Sequence, residues 1–400
     1  MAVNISKISA EVRSPSYIFS EEEFAIRADL VKDTFGKNVD LCFSIKANPF
    51  LLGVMPSSIS KVEVCSPGEL EVCKSLKVPP EMIIFSGVNK SKEEIKVAFE
   101  YGVRNITAES RKHVDYINSA AIEMNINCDL LLRLSDESQF GIDGDELLGY
   151  IKRRDEYKGF KIVGLHYFTG TQKRRPSALI KEIDKFMAYI DRVEADTNFK
   201  IERIEYGTGL AVDYFSEDAM EQEKARIEEI APKIKELSKK ADLTVEMGRF
   251  FAAPCGYYIT EVVDTKINDG VHYAIVDGGI HQLKYDGQTQ GMQIPEITHL
   301  KNQQQSDEEG RGTNKWTLCG SLCTTADVIA RSVEFTDLNC GDLLVFHRTG
   351  AYSMDEGISL LLSRDMPSIY ILDKENRLSR VRDRVDTYKY HVPDNIVNQE

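Results

Sequence analysis

Between residues 40 and 247 the chain alternates short apolar runs with longer helical or polar stretches. Each run has the length and residue types of a β-strand, and successive runs start roughly 20 to 40 residues apart, the spacing that βα units require. Eight such units are the number that closes a (β/α)8 barrel of the TIM type. The runs are 40–46 (DLCFSIK), 61–66 (KVEVCS), 82–87 (MIIFSG), 103–108 (VRNITA), 128–134 (CDLLLRL), 161–168 (KIVGLHYF), 201–207 (IERIEYG) and 243–247 (LTVEM).

The stretches between these runs carry apolar residues near helical spacing, and some begin with a serine that can cap a helix. We therefore predict an α/β fold with a barrel over residues 21–250. The clearest candidate helices are 66–76 (SPGELEVCKSL), 91–102 (SKEEIKVAFEYG), 177–195 (SALIKEIDKFMAYIDRVEA) and 221–241 (EQEKARIEEIAPKIKELSKKA).

Beyond about residue 250 the pattern changes to strands divided by turns, with few helices, which predicts a separate β-sandwich or small β-barrel domain. We assign residues 1–20 and 251–400 to this domain. The polar stretch 301–315 (KNQQQSDEEGRGTNK) is predicted to be a surface loop. The predicted strands are GYYITEVV, VHYAIVDGG, WTLCGS, DLLVFH and SIYILD.

Composition excludes several classes of function. The net charge of −14 argues against general nucleic-acid binding and against attraction to anionic membranes. No apolar run approaches the length of a membrane span, and the first residues lack a secretory pattern, so we expect a cytoplasmic protein. The 8 cysteines include no CxxC pair, and several lie in apolar runs as buried thiols do, so we expect neither disulfides nor a metal site.

The stretch LCFSIKANPF, residues 41–50, is predicted to be a strand with a lysine at one of its buried positions. Side chains alternate along a strand, so Lys46 shares the less hydrophobic face with Cys42 and Ser44. A buried amine needs a partner or a lowered pKa. The simpler interpretation is a lysine whose stem is buried and whose ammonium group reaches water.

The same alternation places polar residues on one face of several barrel runs, near the C-terminal ends where barrel active sites are built. A lone histidine or glutamate on such a face is usually an ordinary buried polar residue, but five at one barrel mouth indicate a functional site. On the run 161–168, Phe168 shares this face with His166. The five are Lys46, Glu63, Arg133, His166 and Glu246.

Three glycine-containing turns follow late strands or lie in the β domain: residues 206–214 (YGTGLAVDY), 246–251 (EMGRFF) and 348–353 (RTGAYS). Glycine lets backbone N–H groups close on an anion, and barrel phosphate sites commonly follow strands seven and eight. Each turn alone is explained equally well as a tight connection. Together with a lysine in the same barrel, they suggest a phosphorylated carbonyl cofactor held as a Schiff base.

At this level of detail the chain resembles, almost end to end, the pyridoxal-phosphate decarboxylases with an alanine-racemase-like barrel, the group of the diaminopimelate, ornithine and other basic-amino-acid enzymes. The resemblance implies a homodimer with pyridoxal 5'-phosphate held by Lys46, near the acid Glu63, and an active site completed by the β domain across the dimer interface. The motifs that carry it are, in family order, FSIKAN, EVCSPGEL, SQFGI, GLHYFTGTQ, GTGLAVDY, EMGRFF, CGSLCTTAD and GAYS.

The resemblance also assigns roles to other residues. It implies that Glu246 contacts the pyridine nitrogen and that Cys323 is a catalytic residue reaching the neighbouring subunit. Arg133, His166 and Phe168 complete the expected cofactor contacts. The residues implied in phosphate binding are Gly207, Thr208, Gly209, Gly248, Arg249 and Tyr352.

The chemistry of α-decarboxylation agrees with these residue types. Losing CO2 leaves a carbanion at Cα, and a protonated pyridinium withdraws that charge only while an anion such as Glu246 keeps the nitrogen protonated. Cys323 is then the candidate proton donor to Cα; the alternative is a buried structural thiol. A racemase would need a cationic partner in place of Glu246, and a non-catalytic relative would not need to retain all three groups.

The sequence departs from its relatives at the substrate end. Where the basic-amino-acid enzymes usually have an acid directly after the cysteine, this chain has Thr324, and a hydroxyl cannot neutralise a distal ammonium. Phe168 replaces a histidine that stacks on the cofactor, and DGGIHQLKYDGQ (277–288) replaces an arginine-proline stretch. We name Thr324, His281 and Arg364 as candidate substrate-binding residues.

These departures most resemble a branch that decarboxylates a glutamyl group carried as a thioester on an acyl carrier protein, as in butirosin biosynthesis. Carrier proteins are usually acidic, so docking to a chain of charge −14 would need a basic patch. The runs 152–154 (KRR) and 172–177 (QKRRPS) are candidates, although charge runs are more often plain solvated surface. The alternative substrate is a free amino acid such as diaminopimelate, lysine or ornithine.

Overall fold

A computed structural model of the chain describes residue 8, residues 11–302 and residues 312–393. The chain divides into two compact units. The barrel unit consists of Ala25–Val212 and Met220–Phe251. The sheet unit consists of Met1–Phe24, Asp213–Ala219 and Ala252–Glu400, so it includes a short segment that the predicted boundaries assign to the barrel.

Eight parallel strands close the barrel unit, pairing in chain order until the last strand pairs with the first. Each of the eight predicted runs overlaps one of them, so the predicted (β/α)8 barrel is confirmed. The strands are β2 (Val39–Ser44), β3 (Lys61–Val64), β4 (Ile83–Phe85), β5 (Asn105–Ala108), β6 (Cys128–Arg133), β7 (Phe160–Phe168), β8 (Arg203–Gly207) and β9 (Asp242–Met247).

Helices follow the strands as predicted, and all four candidate helices form. The helix that starts after Ser91 shows why: the Ser91 hydroxyl accepts a hydrogen bond from the Glu94 N–H, while the Glu94 carboxylate accepts one from the Ser91 N–H. The helices are α1 (Glu21–Phe35), α2 (Pro67–Ser75), α3 (Lys92–Tyr101), α4 (Arg111–Glu123), α5 (Gly144–Lys152), α6 (Pro176–Thr197), α7 (Ala219–Leu237) and α8 (Arg249–Ala252).

Packing between α6 and the barrel decides which side chains point inward. The ring of Phe186 on α6 stacks on Tyr167 of β7 and on Tyr206 of β8, with centroids 4.7 and 6.4 Å apart. Truncating such a buried aromatic residue typically costs about 3–5 kcal/mol of stability. Tyr167 and Tyr206 therefore face outward, towards α6. Because side chains alternate along a strand, the preceding residues His166 and Glu205 face the barrel interior.

The sheet unit contains a nine-stranded mixed sheet. Its strands are β1 (Ser16–Ser20), β10 (Gly256–Asn268), β11 (Val271–Val276), β12 (Ile297–Leu300), β13 (Thr313–Cys319), β14 (Val328–Thr336), β15 (Leu343–His347), β16 (Ser368–Leu372) and β17 (Leu378–Arg382). The central path runs β14-β13-β11-β10-β1-β16-β17, and β15 joins β10 to β12. A β domain separate from the barrel is therefore confirmed.

Four of these strands, β1, β12, β14 and β17, were not predicted. The predicted loop at 301–315 was partly wrong, because Thr313 already begins β13, while residues 303–311 lie outside the described residues. Among the described residues, no helix is both long enough and apolar enough to cross a bilayer. The cytoplasmic location stays a prediction.

Candidate active site

Lys46 lies just beyond the end of β2 rather than inside it. The strand ends at Ser44, and Lys46 occupies a single 3-10 turn, Ile45–Ala47. The turn ends where Pro49 holds Asn48 extended and the Asn48 side chain accepts a hydrogen bond from the Phe50 N–H. The predicted buried strand position was therefore wrong, and the Lys46 side chain is 41% exposed.

The Lys46 amine nevertheless has partners. Its Nζ lies 2.5 Å from Oε2 of Glu63, a buried side chain on β3, and 3.5 Å from Sγ of Cys65. The structure thus brings together the predicted lysine and the predicted acid. The amine is held at the C-terminal end of the barrel strands by an ion pair, in contrast to the simpler interpretation of a head group that only meets water.

Glu246 and His166 meet inside the barrel. His166 Nε2 lies 3.0 Å from Glu246 Oε2, and both side chains are buried. The other oxygen of Glu246, Oε1, is buried without a hydrogen-bond partner among the described residues. Burial alone would raise the pKa of Glu246, but the His166 imidazole, the Glu205 side chain and the Lys46 ammonium together lower it. The group is a carboxylate at neutral pH.

Glu205 is a functional candidate that the sequence analysis missed. It lies in β8, is 1% exposed and has neither carboxyl oxygen in contact with an N–H or O–H donor of the described residues. Burial and then the charge of Glu246 raise its pKa well above the usual range. The signal was available, because strand alternation puts Glu205 on the same face of β8 as Gly207.

Arg133 and Phe168 form a second interior cluster. Arg133 donates to Glu109 Oε2 at 3.3 Å, and its guanidinium carbon lies 4.8 Å from the ring centre of Phe140 and 6.0 Å from that of Phe168. The phenyl ring of Phe168 therefore lies near a cation, and the attraction between cation and ring stabilises the position of both side chains. Glu109, the partner of Arg133, was not predicted.

The two glycine turns at the ends of β8 and β9 have no room for a larger residue. Gly209 has a φ of +60°, and a Cβ there would lie 1.9 Å from the Gly170 carbonyl oxygen. A Cβ on Gly207 would lie 2.4 Å from the Phe168 ring, and one on Gly248 would be 3.0 Å from the Ser44 carbonyl oxygen. The residues between and after these glycines, Thr208 and Arg249, are buried.

Cys323 and Thr324 lie in the sheet unit, in the turn between β13 and β14. Both are exposed, so the alternative of a buried structural thiol at Cys323 is wrong. Asp327 shapes the turn, because its two carboxylate oxygens accept hydrogen bonds from the N–H groups of Ile280 and Leu322, each at 2.8 Å. The thiol is thus displayed on a turn that hydrogen bonds fix in place.

The remaining predicted residues also belong to the sheet unit. His281 and Arg364 line one open cleft of about 420 Å³, and Arg364 donates to the Ser321 carbonyl at 3.0 Å. Burial, aided by the charge of Arg364, lowers the pKa of His281 to about 4, so the imidazole is neutral at pH 7. Tyr352 has a φ of +62°, a conformation that costs a bulky residue about 1–3 kcal/mol and often marks a functional position.

Comparison with known proteins identifies the family. Residues 21–253 match the sequence model of a protein family, the pyridoxal-dependent decarboxylases, over their pyridoxal binding domain. This chain belongs to that family. The decarboxylase is thus a pyridoxal-phosphate-dependent carboxy-lyase acting on an amino-acid substrate.

Similar curated proteins span most of the chain. The diaminopimelate decarboxylase of Aquifex aeolicus is 24% identical, over 88% of this chain and 84% of its own. The L-glutamyl-[BtrI acyl-carrier protein] decarboxylase of Niallia circulans is 25% identical, over 94% of this chain and 93% of its own. The diaminopimelate decarboxylase of Methanocaldococcus jannaschii, solved with L-lysine, has a TM-score of 0.82 at 22% identity, covering 98% of this chain and 95% of that one, so it shows the fold.

Two observations in the barrel of the decarboxylase fit pyridoxal phosphate. The buried Oε1 of Glu246, an anionic acceptor without a partner among the described residues, suits a protonated ring nitrogen. The glycine turns that contain Gly207, Gly209 and Gly248 stand at the C-terminal ends of β8 and β9, where barrel phosphate sites commonly form. The sequence pattern predicted these positions individually, and the fold places them in one barrel.

The glycine turn after β8 allows a stability test. We expect Gly209→Ala to destabilise the decarboxylase by more than about 2 kcal/mol, because the new Cβ would meet the Gly170 carbonyl and φ is positive. Gly149→Ala on helix α5 is the matched control; nothing lies within 4 Å of its Cβ position, so it should stabilise slightly. Urea unfolding of the two variants measures both effects, and equal midpoints would contradict the packing described.

Proposed function

We propose that this enzyme removes the α-carboxylate of an amino acid whose distal end is uncharged, specifically a glutamyl group tethered as a thioester to an acyl carrier protein. The turn 320–327 carries the proposal. Its only acid, Asp327, has both carboxylate oxygens bound to backbone N–H groups, and Thr324 offers only a hydroxyl. This turn therefore has no free carboxylate to pair with the ammonium of a diamino acid.

The named relatives support this substrate class without deciding it. One of them acts on a glutamyl group on an acyl carrier protein, and others act on diaminopimelate, at nearly equal identities of 25% and 24%. A neutral thioester at the distal end would leave no charge to compensate. Free diaminopimelate, lysine or ornithine is the alternative substrate.

Three residues carry the proposed chemistry. Pyridoxal phosphate supplies the electron sink for the charge left when CO2 departs. Lys46 holds the cofactor covalently through its Nζ, with Glu63 beside that nitrogen. Glu246 keeps a proton on the cofactor's ring nitrogen. The Cys323 thiol gives its proton to the substrate Cα, and we assign this thiol to the partner subunit of a homodimer.

The remaining assigned residues hold the cofactor and the substrate. Arg133, His166 and Phe168 line the barrel interior around the ring, while Thr324, His281 and Arg364 contact the distal part of the substrate. The phosphate is bound by Gly207, Thr208, Gly209, Gly248, Arg249 and Tyr352.

For the carrier protein we propose docking at the segment 172–177. It joins β7 to α6 and therefore lies at the end of the barrel where the strand C-termini and the active site lie. The amine of Lys173 contacts both oxygens of Glu182 at 2.8 and 2.9 Å, so its charge is balanced locally. The side chains of Arg174 and Arg175 are exposed, and their positive charge would attract an acidic partner.

Release of CO2 from a glutamyl thioester on a carrier protein, from free glutamate and from diaminopimelate tests the substrate assignment. We expect kcat/KM for the thioester to exceed that for each free amino acid by about 10²-fold or more, because an unpaired buried ammonium costs several kcal/mol. A preference for diaminopimelate would contradict the proposal. Thr324→Asp should raise the relative use of the diamino acid, and Thr325→Asp, at the next position of the same exposed turn, serves as its control.

A further inference from the structure

We propose that Glu205 carries a proton inside the barrel and donates it to Glu246, so that it acts as a positioning residue for that carboxylate. The location of the proton is independent of the proposed function. Only its consequence for catalysis rests on the role proposed for Glu246.

The first argument is proximity. A carboxyl oxygen of Glu205, a carboxyl oxygen of Glu246 and Sγ of Cys42 all lie within 4.8 Å of one another, and all three side chains are buried. Two carboxyl groups this close cannot both be ionised without a large cost, because each charge repels the other in a medium of low dielectric. One of the pair must therefore hold a proton.

The second argument identifies which group is protonated. Glu246 has the His166 imidazole at 3.0 Å and feels the positive charge of Lys46, so its ionised form is stabilised. Glu205 has no donor on either oxygen among the described residues. A buried carboxylate without donors is costly, so the proton belongs on Glu205.

The other titratable groups around Glu205 agree with this placement. Glu63 adds a second negative charge, which disfavours ionisation of Glu205, and Lys46, the opposing cation, already pairs with Glu63. The Cys42 thiol remains neutral, because burial, with the nearby carboxylates, raises its pKa well above the usual range. No cation is left over among these groups to balance an ionised Glu205.

Once protonated, Glu205 has an O–H to donate to the Glu246 carboxylate, whose Oε1 has no partner among the described residues. That oxygen carries two lone pairs, so it can accept this bond as well as one from the cofactor's ring nitrogen. His166 contacts the other oxygen, Oε2. The carboxylate of Glu246 is then fixed from both sides, and the pair carries one negative charge instead of two. Positioning of this kind is how surrounding groups support a catalytic residue that they touch.

Infrared difference spectroscopy of the cofactor-free protein tests the location of the proton. We expect a carboxylic-acid C=O stretch at pH 8 that is sensitive to deuterium exchange and is lost in Glu205→Gln. Glu182→Gln is the matched control, since Glu182 forms an ion pair with Lys173 away from Glu205 and Glu246, so its loss should leave that band in place. A spectrum without the band, or a band that Glu205→Gln retains, would overturn the proposal, and circular dichroism confirms that each variant is folded.

The positioning role has its own readout in the loaded enzyme. Glutamine can still donate to Glu246, so Glu205→Gln should keep kcat within about 3-fold, whereas Glu205→Leu should lower kcat by about 10- to 100-fold with little change in KM. Equal losses in both variants would overturn the donor role. If no cofactor binds, the proposed function fails, but the infrared result on the cofactor-free protein still stands by itself.

Discussion

Replacing Lys46 with alanine is expected to reduce decarboxylation by at least about 10³-fold and to remove the visible absorbance of the covalently held cofactor. The reason is geometric as well as chemical. The Lys46 amine lies 2.5 Å from Glu63 at the C-terminal end of the barrel strands, and Lys90, another lysine of this barrel, donates instead to the Ser86 carbonyl. Absorbance spectra and CO2 release of the variant measure both effects.

The control for this prediction is Lys61→Ala. Lys61 begins β3, at the opposite end of the strand from the site, and its amine contacts the Glu81 carbonyl. Losing it should leave absorbance and activity unchanged. A Lys46→Ala enzyme that retained activity within about tenfold of the parent would remove Lys46 from its assigned role.

The second large effect is expected at Glu246. Glu246→Gln keeps the shape of the side chain but removes the negative charge, so the cofactor's ring nitrogen would no longer be held protonated. We expect kcat to fall by about 10²- to 10³-fold, the range found when one electrostatic partner of a developing charge is removed. Steady-state CO2 release, with the amount of bound cofactor measured in parallel, checks this prediction.

The pH dependence sharpens the test of Glu246. Because its folded-state pKa is lowered, the carboxylate persists as the pH falls below the usual range for glutamate and is lost only near the lowered pKa. The ratio of parent to Glu246→Gln activity should therefore stay constant from about pH 8 down to about pH 5. A ratio that fell to one at about pH 5 would show that Glu246 had become protonated, against the geometry with His166.

The barrel could be predicted from sequence because its information is local. Strand alternation and helical spacing recur along the barrel, and the alternation put Glu63, Arg133, His166 and Glu246 on the less hydrophobic face of their runs, where the structure finds all four buried. Two errors concern this alternation. We extended it past Ser44, although a 3-10 turn ends the strand before Lys46. We also did not apply it to Glu205, which lies on the same face of β8 as Gly207.

The sheet unit was harder to predict because its order depends on distant pairings. Strand β1 lies parallel to β16, with Ser16 opposite Ser368, and no local pattern reports a contact over that separation. Strand β17 (LSRVR) is exposed along most of its length and shows little apolar alternation. The roles assigned to Cys323, Thr324 and Tyr352 came from family resemblance alone and stay predictions.

The central claim is that one amine, that of Lys46, holds the cofactor. Lys90 is the most informative competitor, because burial lowers its pKa to about 8 and makes its neutral form accessible. Borohydride reduction of the loaded enzyme followed by peptide mass spectrometry decides between them. We predict a pyridoxyl phosphate group on the peptide that contains Lys46; the label on Lys90, or no labelled lysine in an enzyme that releases CO2, would contradict the account.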